Sequence, residues 1–360
     1  MPFVTGNAPD PEPAMKPRLP AEWEPHDGVM IAWPHPDSDW GEIIDEIEAV
    51  YERMAVAIAD QETLVILCRD DEHRAHVADR LLESDVHLES VRLHTVPFND
   101  TWVRDYGPVT VYEGEQPFLE DFLFNGYGRR YPFEDDNLVN ARLLEAGAFG
   151  ETPMRHHDLV LEGGALDTDG AGTLLVTERS LLDENRNPGM TRQRWEEAFA
   201  RLFGIERVFW LGEGRLEGDD TDGHVDMLAR FCNPTTIAYC TAEPRDEPHH
   251  AALAAMESEL RALRRPDGAP YELIPLPLPD PVVHEGRRLP ASYANFLILR
   301  ESVLVPTYDD PMDVRVLERL KDAFPERALI PIPARILIRQ NGAVHCATLP
   351  LGRGVLPSEE

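Results

Sequence analysis

Lysine is nearly missing from this 360-residue chain, standing only at Lys16 and Lys321. Arginine and lysine together number 34 against 66 aspartates and glutamates, which leaves a formal net charge of −32. A chain so short of cationic side chains lacks the basic surface that nucleic-acid binding requires, so nucleic acid is not an expected partner. Its acidic field favours a cationic ligand instead, with the long-range part damped by salt. The plainer consequence is a solvated acidic surface that keeps the protein soluble, including in a salty cytoplasm.

Long apolar runs are missing too. Hydrophobic residues make up 42% of the chain, enough for a core. The longest runs, TLVILC and NFLIL, are strand-sized and fall far short of the roughly 20 residues that a membrane helix needs. The amino terminus, MPFVTGNAPDPEPAMKPRLP, lacks the basic-then-apolar order of a secretory signal. These features predict a cytoplasmic protein with no membrane partner and a flexible leader over residues 1–18.

Cysteine occurs four times, at Cys68, Cys232, Cys240 and Cys346, with no C-x-x-C pair and no zinc-like spacing. A reducing compartment also disfavours disulfides. Cys232 and Cys240 flank an NPTT turn and are expected as two buried thiols that could face each other across a hairpin. Cys346 has unusual neighbours, since NGAVHCATLP places it beside His345 and after a flexible Asn341-Gly342. A nucleophile needs a thiolate, which His224, if near, could stabilise or serve by moving protons. A buried thiol on a terminal strand accounts for Cys346 equally well, because cysteine is among the most buried residue types.

What the sequence does have is a repeat of strand pair, helix and strand, with units beginning near Trp102, Leu161, His224, Ala291 and Asn341. The helices read as AVYERMAVAIAD, a weaker DDNLVNARLLEAG, TRQRWEEAFARLFG, HHAALAAMESELRALRR and DVRVLERLKDAFPE. Short apolar strands such as RVFWLG, YELIPLPL and ALIPIP follow them. LVLEGGALDTDGAGTLLVTE reads as a hairpin, with Asp169-Gly170 and Gly172 supplying the turn. The last unit, from Asn341, supplies one strand only. DGVMIAWPH, the helix over 43–59 and TLVILC complete it if the two ends of the chain meet, closing the repeats into a ring without exposed sheet edges. The prediction is a single α/β domain over 19–355 with a tail at 356–360. Two separate α/β domains would leave the terminal half-units unpaired.

Polar residues fall at matching places, in the expected first strands of the units: Asp100, Trp102, Arg104 and Asp105; Glu162; Asp220, Asp222, His224 and Asp226; and Cys346. Units surrounding one axis would bring these groups together, as catalysis requires. HVDMLARF alternates as a strand does, putting His224 and Asp226 on one face roughly 7 Å apart. They could grip one small ligand, or His224 could simply hydrogen-bond inside the core. An H-x-D pair also suits a metal, but nothing completes a ligand set, and His156-His157 and His249-His250 read as solvated surface. No metal is expected. Trp102 beside carboxylates makes a cation-accepting pocket; alone, that motif reads as a surface Arg104–Asp105 pair with Trp102 in the core.

Taken together, LPAEWEPHDGVMIAWPH, NDTWVRDYGP, FNGYGRRYPFEDDN, LEGGALDTDGAGTLLVTERSLLDENRNPG, GDDTDGHVDMLARF, PASYANFLI and NGAVHC closely resemble the agmatine deiminase and bacterial peptidylarginine deiminase family of guanidine-modifying enzymes. The resemblance runs from about Leu19 to Leu351 and implies a five-bladed α/β propeller, the pentein fold, in agreement with the ring. It implies Cys346 as nucleophile, His224 as general acid and base, and Asp105 and Asp226 as the pair holding a guanidinium. Asn295 resembles the family's active-site asparagine, Trp102 its aromatic wall and Asp220 an acid near the far end of the substrate; Glu162 joins the substrate-binding set. The implied reaction is hydrolysis of a small cationic guanidine, agmatine first, to N-carbamoylputrescine and ammonia without a cofactor. One stretch departs from the family's usual NGWGGKY: here it is NGYGRRY, and Arg129 and Arg130 suit a carboxylate, so arginine or peptidyl-arginine is the alternative substrate. An amidinotransferase would use the same cysteine but pass the amidino group to an amine. The sequence leaves a homo-oligomer open.

Overall fold

Residues 15–357 are described by the computed structural model. After Thr63, strand Thr63–Cys68 (TLVILC) is apolar throughout, and it is buried on both faces, as a parallel strand covered on both sides must be. It pairs in parallel with His26–Ala32 on one side and with Val91–Thr95 on the other. His26–Ala32 pairs in turn, antiparallel, with Leu349–Gly352. The two ends of the chain therefore share one four-stranded sheet, and the half-unit at the carboxyl end is completed from the amino end.

Four further units follow the predicted order of antiparallel pair, helix and parallel strand. The first is Val109–Glu113, Gln116–Leu123, helix Val139–Glu145 and Met154–Val160. The second is Asp167–Thr168, Thr173–Thr177, helix Arg192–Phe203 and Arg207–Leu211. The third is Ala229–Asn233, Thr236–Thr241, helix Glu247–Ala262 and Glu272–Pro277. The fourth is Leu297–Ile298, Ser302–Thr307, helix Met312–Ala323 and Ala328–Pro333. The architecture is mixed α/β.

The helices form where apolar residues recur every three or four positions between clear stop signals. In Arg192–Phe203 the Thr191 side chain caps the Arg194 N–H, Trp195, Phe199 and Phe203 line the buried face, and Gly204 ends the helix at φ 67°. Helix Ile44–Ala59 buries Ile47, Val50, Tyr51, Met54 and Ile58. Helix Asp71–Glu83, opened by Asp70 accepting from the His73 N–H, extends the closing sheet beyond the repeat.

The boundaries differ from expectation at both ends. Pro17–Arg18 pairs antiparallel with Tyr112–Glu113, so the last residues of the expected leader belong to a sheet; residues 1–14 lie outside the described residues. Leu356, the first residue of the expected tail, donates its N–H to Asp27 at 3.0 Å, and residues 358–360 lie outside the described residues. Cys232 and Cys240 are buried and free, as expected, but they do not face each other. Cys232 sits where the strand register slips, and the Cys240 thiol lies 3.1 Å from the Ser292 hydroxyl.

Candidate active site

The chemistry-bearing side chains sit in turns at the starts of the sheets, not in the strands where alternation placed them. Asp105 is on the one-turn helix Val103–Tyr106, and Glu162 directly precedes a 3-10 helix, Gly163–Ala165. His224 directly precedes another, Val225–Met227, which carries Asp226; Cys346 follows 3-10 helix Leu337–Gln340 and precedes strand Leu349–Gly352. His224 and Asp226 are therefore not two positions on one strand face. Left-handed Asp222 (φ 64°) and Gly223 (φ 79°) turn the chain just before His224. Val225, Met227 and Leu228 are all buried, so the apparent alternation reflects burial on every side.

Gly164 lets three of these groups meet. A Cβ at this position would lie 2.6 Å from His224 Nδ1, 2.8 Å from Asp105 Oδ1 and 3.0 Å from Asp226 Oδ2, and the Gly164 N–H donates to Asp105 Oδ1 at 2.9 Å. Cys346 Sγ lies 3.6 Å from Asp226 Oδ2 and receives a hydrogen bond from Asn295 Nδ2 at 3.2 Å. Asn295 Oδ1 accepts from the backbone N–H of His345 at 2.9 Å and of Cys346 at 3.3 Å, so one asparagine holds both thiol and loop. Asn341 adopts φ 72°, and at Gly342 a Cβ would strike the Trp102 ring at 2.3 Å. The Asn-Gly before Cys346 is thus a tight turn that lets the loop lie against the indole.

His224 is oriented from behind. Its Nε2 lies 2.7 Å from Glu162 Oε2, and Glu162 accepts from Arg186 Nε at 2.9 Å through both oxygens. Arg186 also binds Asp222 at 2.7 Å. Tyr127 donates its hydroxyl to Asp105 Oδ2 at 3.0 Å. Two polar atoms in this cluster are buried and without a hydrogen-bond partner among the described residues: His224 Nδ1, 3.5 Å from Asp105 Oδ1, and Asp226 Oδ1.

Burial pushes the Cys346 thiol well above its ordinary value, and the charges of Asp226 and Asp105 push it further. Burial pulls His224 down, yet the carboxylates of Asp105, Glu162 and Asp226 prevail and raise it to about 9. Burial raises Asp105 to about 6, with His224 opposing. On Asp226 burial also acts upward, but the hydrogen bond and charge of His345, with His224 and Arg230, overcome it and hold the group below the usual carboxylate range.

A cavity of about 190 Å³ opens beside the thiol, lined by Trp102, Asp105, Tyr127, Asp220, Asn341 and Cys346 among others. Asp220 stands in it as expected, its Oδ2 accepting from Tyr131 at 2.6 Å and Asn341 at 2.5 Å. Arg129 does not. Tyr127, Gly128 and Arg129 are successive left-handed residues (φ 57°, 80° and 68°) that turn Tyr127 inward and leave Arg129 exposed, on a groove shared with Asn185 and Asp158. Arg130 is taken up by Asp222, at 2.7 Å. Glu162 reaches His224 and Arg186 but does not line the cavity. Arg104 is buried and pairs with Glu22 at 3.2 Å, so the surface pair with Asp105 does not form. His157 and His249, read as surface, are partnered by Glu120 at 2.5 Å and Asp246 at 3.1 Å, with His249 buried.

Sequence reasoning missed Gly164, Tyr127, Arg186 and Glu22, and it noted His345 only as the neighbour of Cys346 without its bonds to Asp226 and Glu22. The Glu-Gly-Gly of LEGG is the one local signal for the four missed residues, since paired glycines after a carboxylate mark close backbone approach; the partners of the rest are distant in sequence.

The chain resembles proteins of known kind over nearly its whole length. It is 33% identical to a putative agmatine deiminase of Vibrio parahaemolyticus, covering 92% of this chain and 95% of that protein. It is 30% identical to the agmatine deiminase of Pseudomonas aeruginosa, covering 92% and 94%. A putative arginine deiminase structure from Porphyromonas gingivalis superposes with TM-score 0.89 at 41% identity, covering 95% and 100%. A C. jejuni agmatine deiminase with substrate bound does so with TM-score 0.87 at 31% identity, covering 94% and 97%. The family model for Porphyromonas-type peptidyl-arginine deiminase matches residues 18–351, and this chain belongs to that family.

Proposed function

We propose that the protein is an agmatine deiminase, hydrolysing agmatine to N-carbamoylputrescine and ammonia. The observation that carries this reading is the meeting of Asp105, Asp226 and His224 around Gly164 with Cys346 Sγ 3.6 Å from Asp226, Asp226 Oδ1 and His224 Nδ1 being buried without a hydrogen-bond partner among the described residues. A guanidinium is a flat cation bearing N–H groups on three sides, and two carboxylates bonded to it fix its plane against the thiol. Its charge opposes that of Asp105 and Asp226, so substrate binding lowers the thiol toward ionisation. The Cys346 thiolate attacks the guanidinium carbon. His224, protonated at neutral pH with a value near 9, gives its proton to the departing nitrogen, and ammonia leaves a thiouronium on Cys346. The same histidine takes a proton from water, which attacks that carbon, breaks the C–S bond and releases the ureido product.

Relatives named agmatine deiminase support the substrate, and Asp220 in the same cavity suits the free amine of agmatine. One observation favours arginine or peptidyl-arginine as a second reading. Arg287 and Arg339 line this cavity, Arg287 being held by Asn341 Oδ1 at 2.7 Å, and they would suit a carboxylate. We further propose that the five sheets carrying the repeat are the blades of a five-bladed propeller, acting as one catalytic domain in the cytoplasm. Incubation with agmatine, free arginine and a short arginine peptide, with Cys346→Ala as control, tests the assignment by ammonia and ureido product. Turnover of agmatine alone is expected; turnover of arginine or peptide alone transfers the assignment to the second reading, and no turnover of any overturns both.

A further inference from the structure

Asp226 is held from behind by a chain of charged groups that the reaction itself does not consume. Its Oδ2 lies 2.7 Å from His345 Nδ1, and His345 Nε2 lies 2.7 Å from Glu22 Oε2. Glu22 also accepts from Arg104 at 3.2 Å and, through Oε1, from Arg230 and the Ile298 N–H, each at 2.9 Å. Arg230 continues to Asp167, and Arg104 Nε donates to the His345 carbonyl at 3.2 Å. Glu22 and His345 line a second cavity, of about 120 Å³, that shares no lining residue with the one beside Cys346.

A buried carboxylate beside a thiol and 3.0 Å from the same glycine position as its neighbours has reason to rotate or to take a proton. The chain prevents both. Each ring nitrogen of His345 faces a carboxylate oxygen, and a ring protonated on both nitrogens donates to both. Asp226 Oδ2, the oxygen 3.6 Å from Cys346 Sγ, is thereby fixed, while Oδ1 has no hydrogen-bond partner among the described residues. We propose that Glu22 and His345 are positioning residues for the deiminase reaction, clamping Asp226 so that its carboxylate stays ionised and fixed beside Cys346, where the guanidinium binds. This rests on the deiminase reading. Burial pushes Glu22 up, but Arg230, His345 and Arg104 together hold it well below the ordinary carboxylate range, so the far end of the chain is a fixed charge. The groups facing Asp226 are His345, His224, Arg230, Arg104, Asp105, Asn295 and Cys346, and of these His345 does most to keep it ionised.

The test is agmatine turnover from about pH 5 to 9 with the wild type, Glu22→Gln, His345→Gln and the double variant, folding being checked by circular dichroism and melting temperature. For each single variant kcat falls about 10- to 100-fold with a smaller change in KM, as a misplaced binding group demands. The low-pH limb of kcat/KM, set in the wild type by Asp105 at about 6, steepens and moves upward, because Asp226 without its support takes up a proton at higher pH and both carboxylates must be ionised. The double variant loses little more than the worse single one, since both act through one chain. Folded variants with an unmoved low-pH limb, or losses that simply add, overturn the proposal. Should Glu22→Gln not fold, His345→Gln carries the same test, and Glu22→Asp, which keeps the charge, is expected to restore the limb in part. A wild type that turns over no guanidine overturns the functional reading instead.

Discussion

At the scale of single residues, the site depends on an absent side chain as much as on those present. Gly164→Ala would drive a methyl group between His224, Asp105 and Asp226, all within 3.0 Å of it. Overpacking of this kind costs about 1–3 kcal/mol of stability, whereas displacing the reacting groups by about 1 Å costs about 100-fold in rate. The expected outcome is a folded protein with ammonia release down at least about 100-fold, and a Gly164→Ala enzyme near wild-type rate would show that the three groups do not act together. His224 supplies a second prediction. In its proposed role as proton donor, a value of about 9 means that the donated proton is lost as pH rises through that point, so kcat/KM is expected to decline on the alkaline side. Glu162→Gln removes one of the carboxylates holding that value up and moves the alkaline limb to lower pH; an unmoved limb would detach it from His224. Much of this was legible in the sequence: Cys346, His224, Asp105, Asp226, Asn295 and Trp102 all converge. What was not legible depends on partners far along the chain. Glu22 reads as part of a polar approach to the first strand, and only its contact with His345, 323 positions away, gives it a role. Arg129 misled for the opposite reason, because four left-handed residues in a row, from Gly126 to Arg129, direct it away from the cavity that its charge seemed to suit.

At the scale of elements, the joint between the two ends of the chain is where the fold is most exposed to a single change. Strand Leu349–Gly352 pairs with His26–Ala32 on the side away from Thr63–Cys68, and Leu351 within it is fully buried in a cluster with Met30, Val65, Val103 and Leu119. Truncating such a leucine removes apolar contacts and leaves a cavity, at about 2–5 kcal/mol. Leu351→Ala should therefore lower the midpoint of denaturant unfolding strongly, while Leu138→Ala, at an exposed helix position, stays within about 0.5 kcal/mol. Equal effects would mean that the closing strand is dispensable. The strand pair, helix and strand of each unit were read from the sequence because helix and strand differ in period and the turns carry Gly, Asn and Asp. The short 3-10 turns bearing His224 and Asp226 were not, because a buried turn next to a strand shows the same apolar pattern as the strand itself.

At the scale of the whole molecule, a net charge of −32 acts on stability and on catalysis with opposite signs. Like charges spread over the surface repel one another in the compact state, and salt relieves this as the Debye length falls from about 10 Å at 0.1 M to about 3 Å at 1 M. The same field draws a cationic guanidine toward the cavity, and salt weakens that attraction too. Raising salt over this range is therefore expected to increase the melting temperature while lowering kcat/KM severalfold. The second effect should be steeper for agmatine, which carries two positive charges, than for arginine, whose carboxylate cancels one. Parallel salt series on melting temperature and on both substrates measure all three slopes. A melting temperature that falls as salt is added would mean that exposed ion pairs such as Lys16 with Glu206 and Arg69 with Asp37 outweigh surface repulsion. Equal slopes for the two substrates would mean that the cavity, and not the field around it, selects between them.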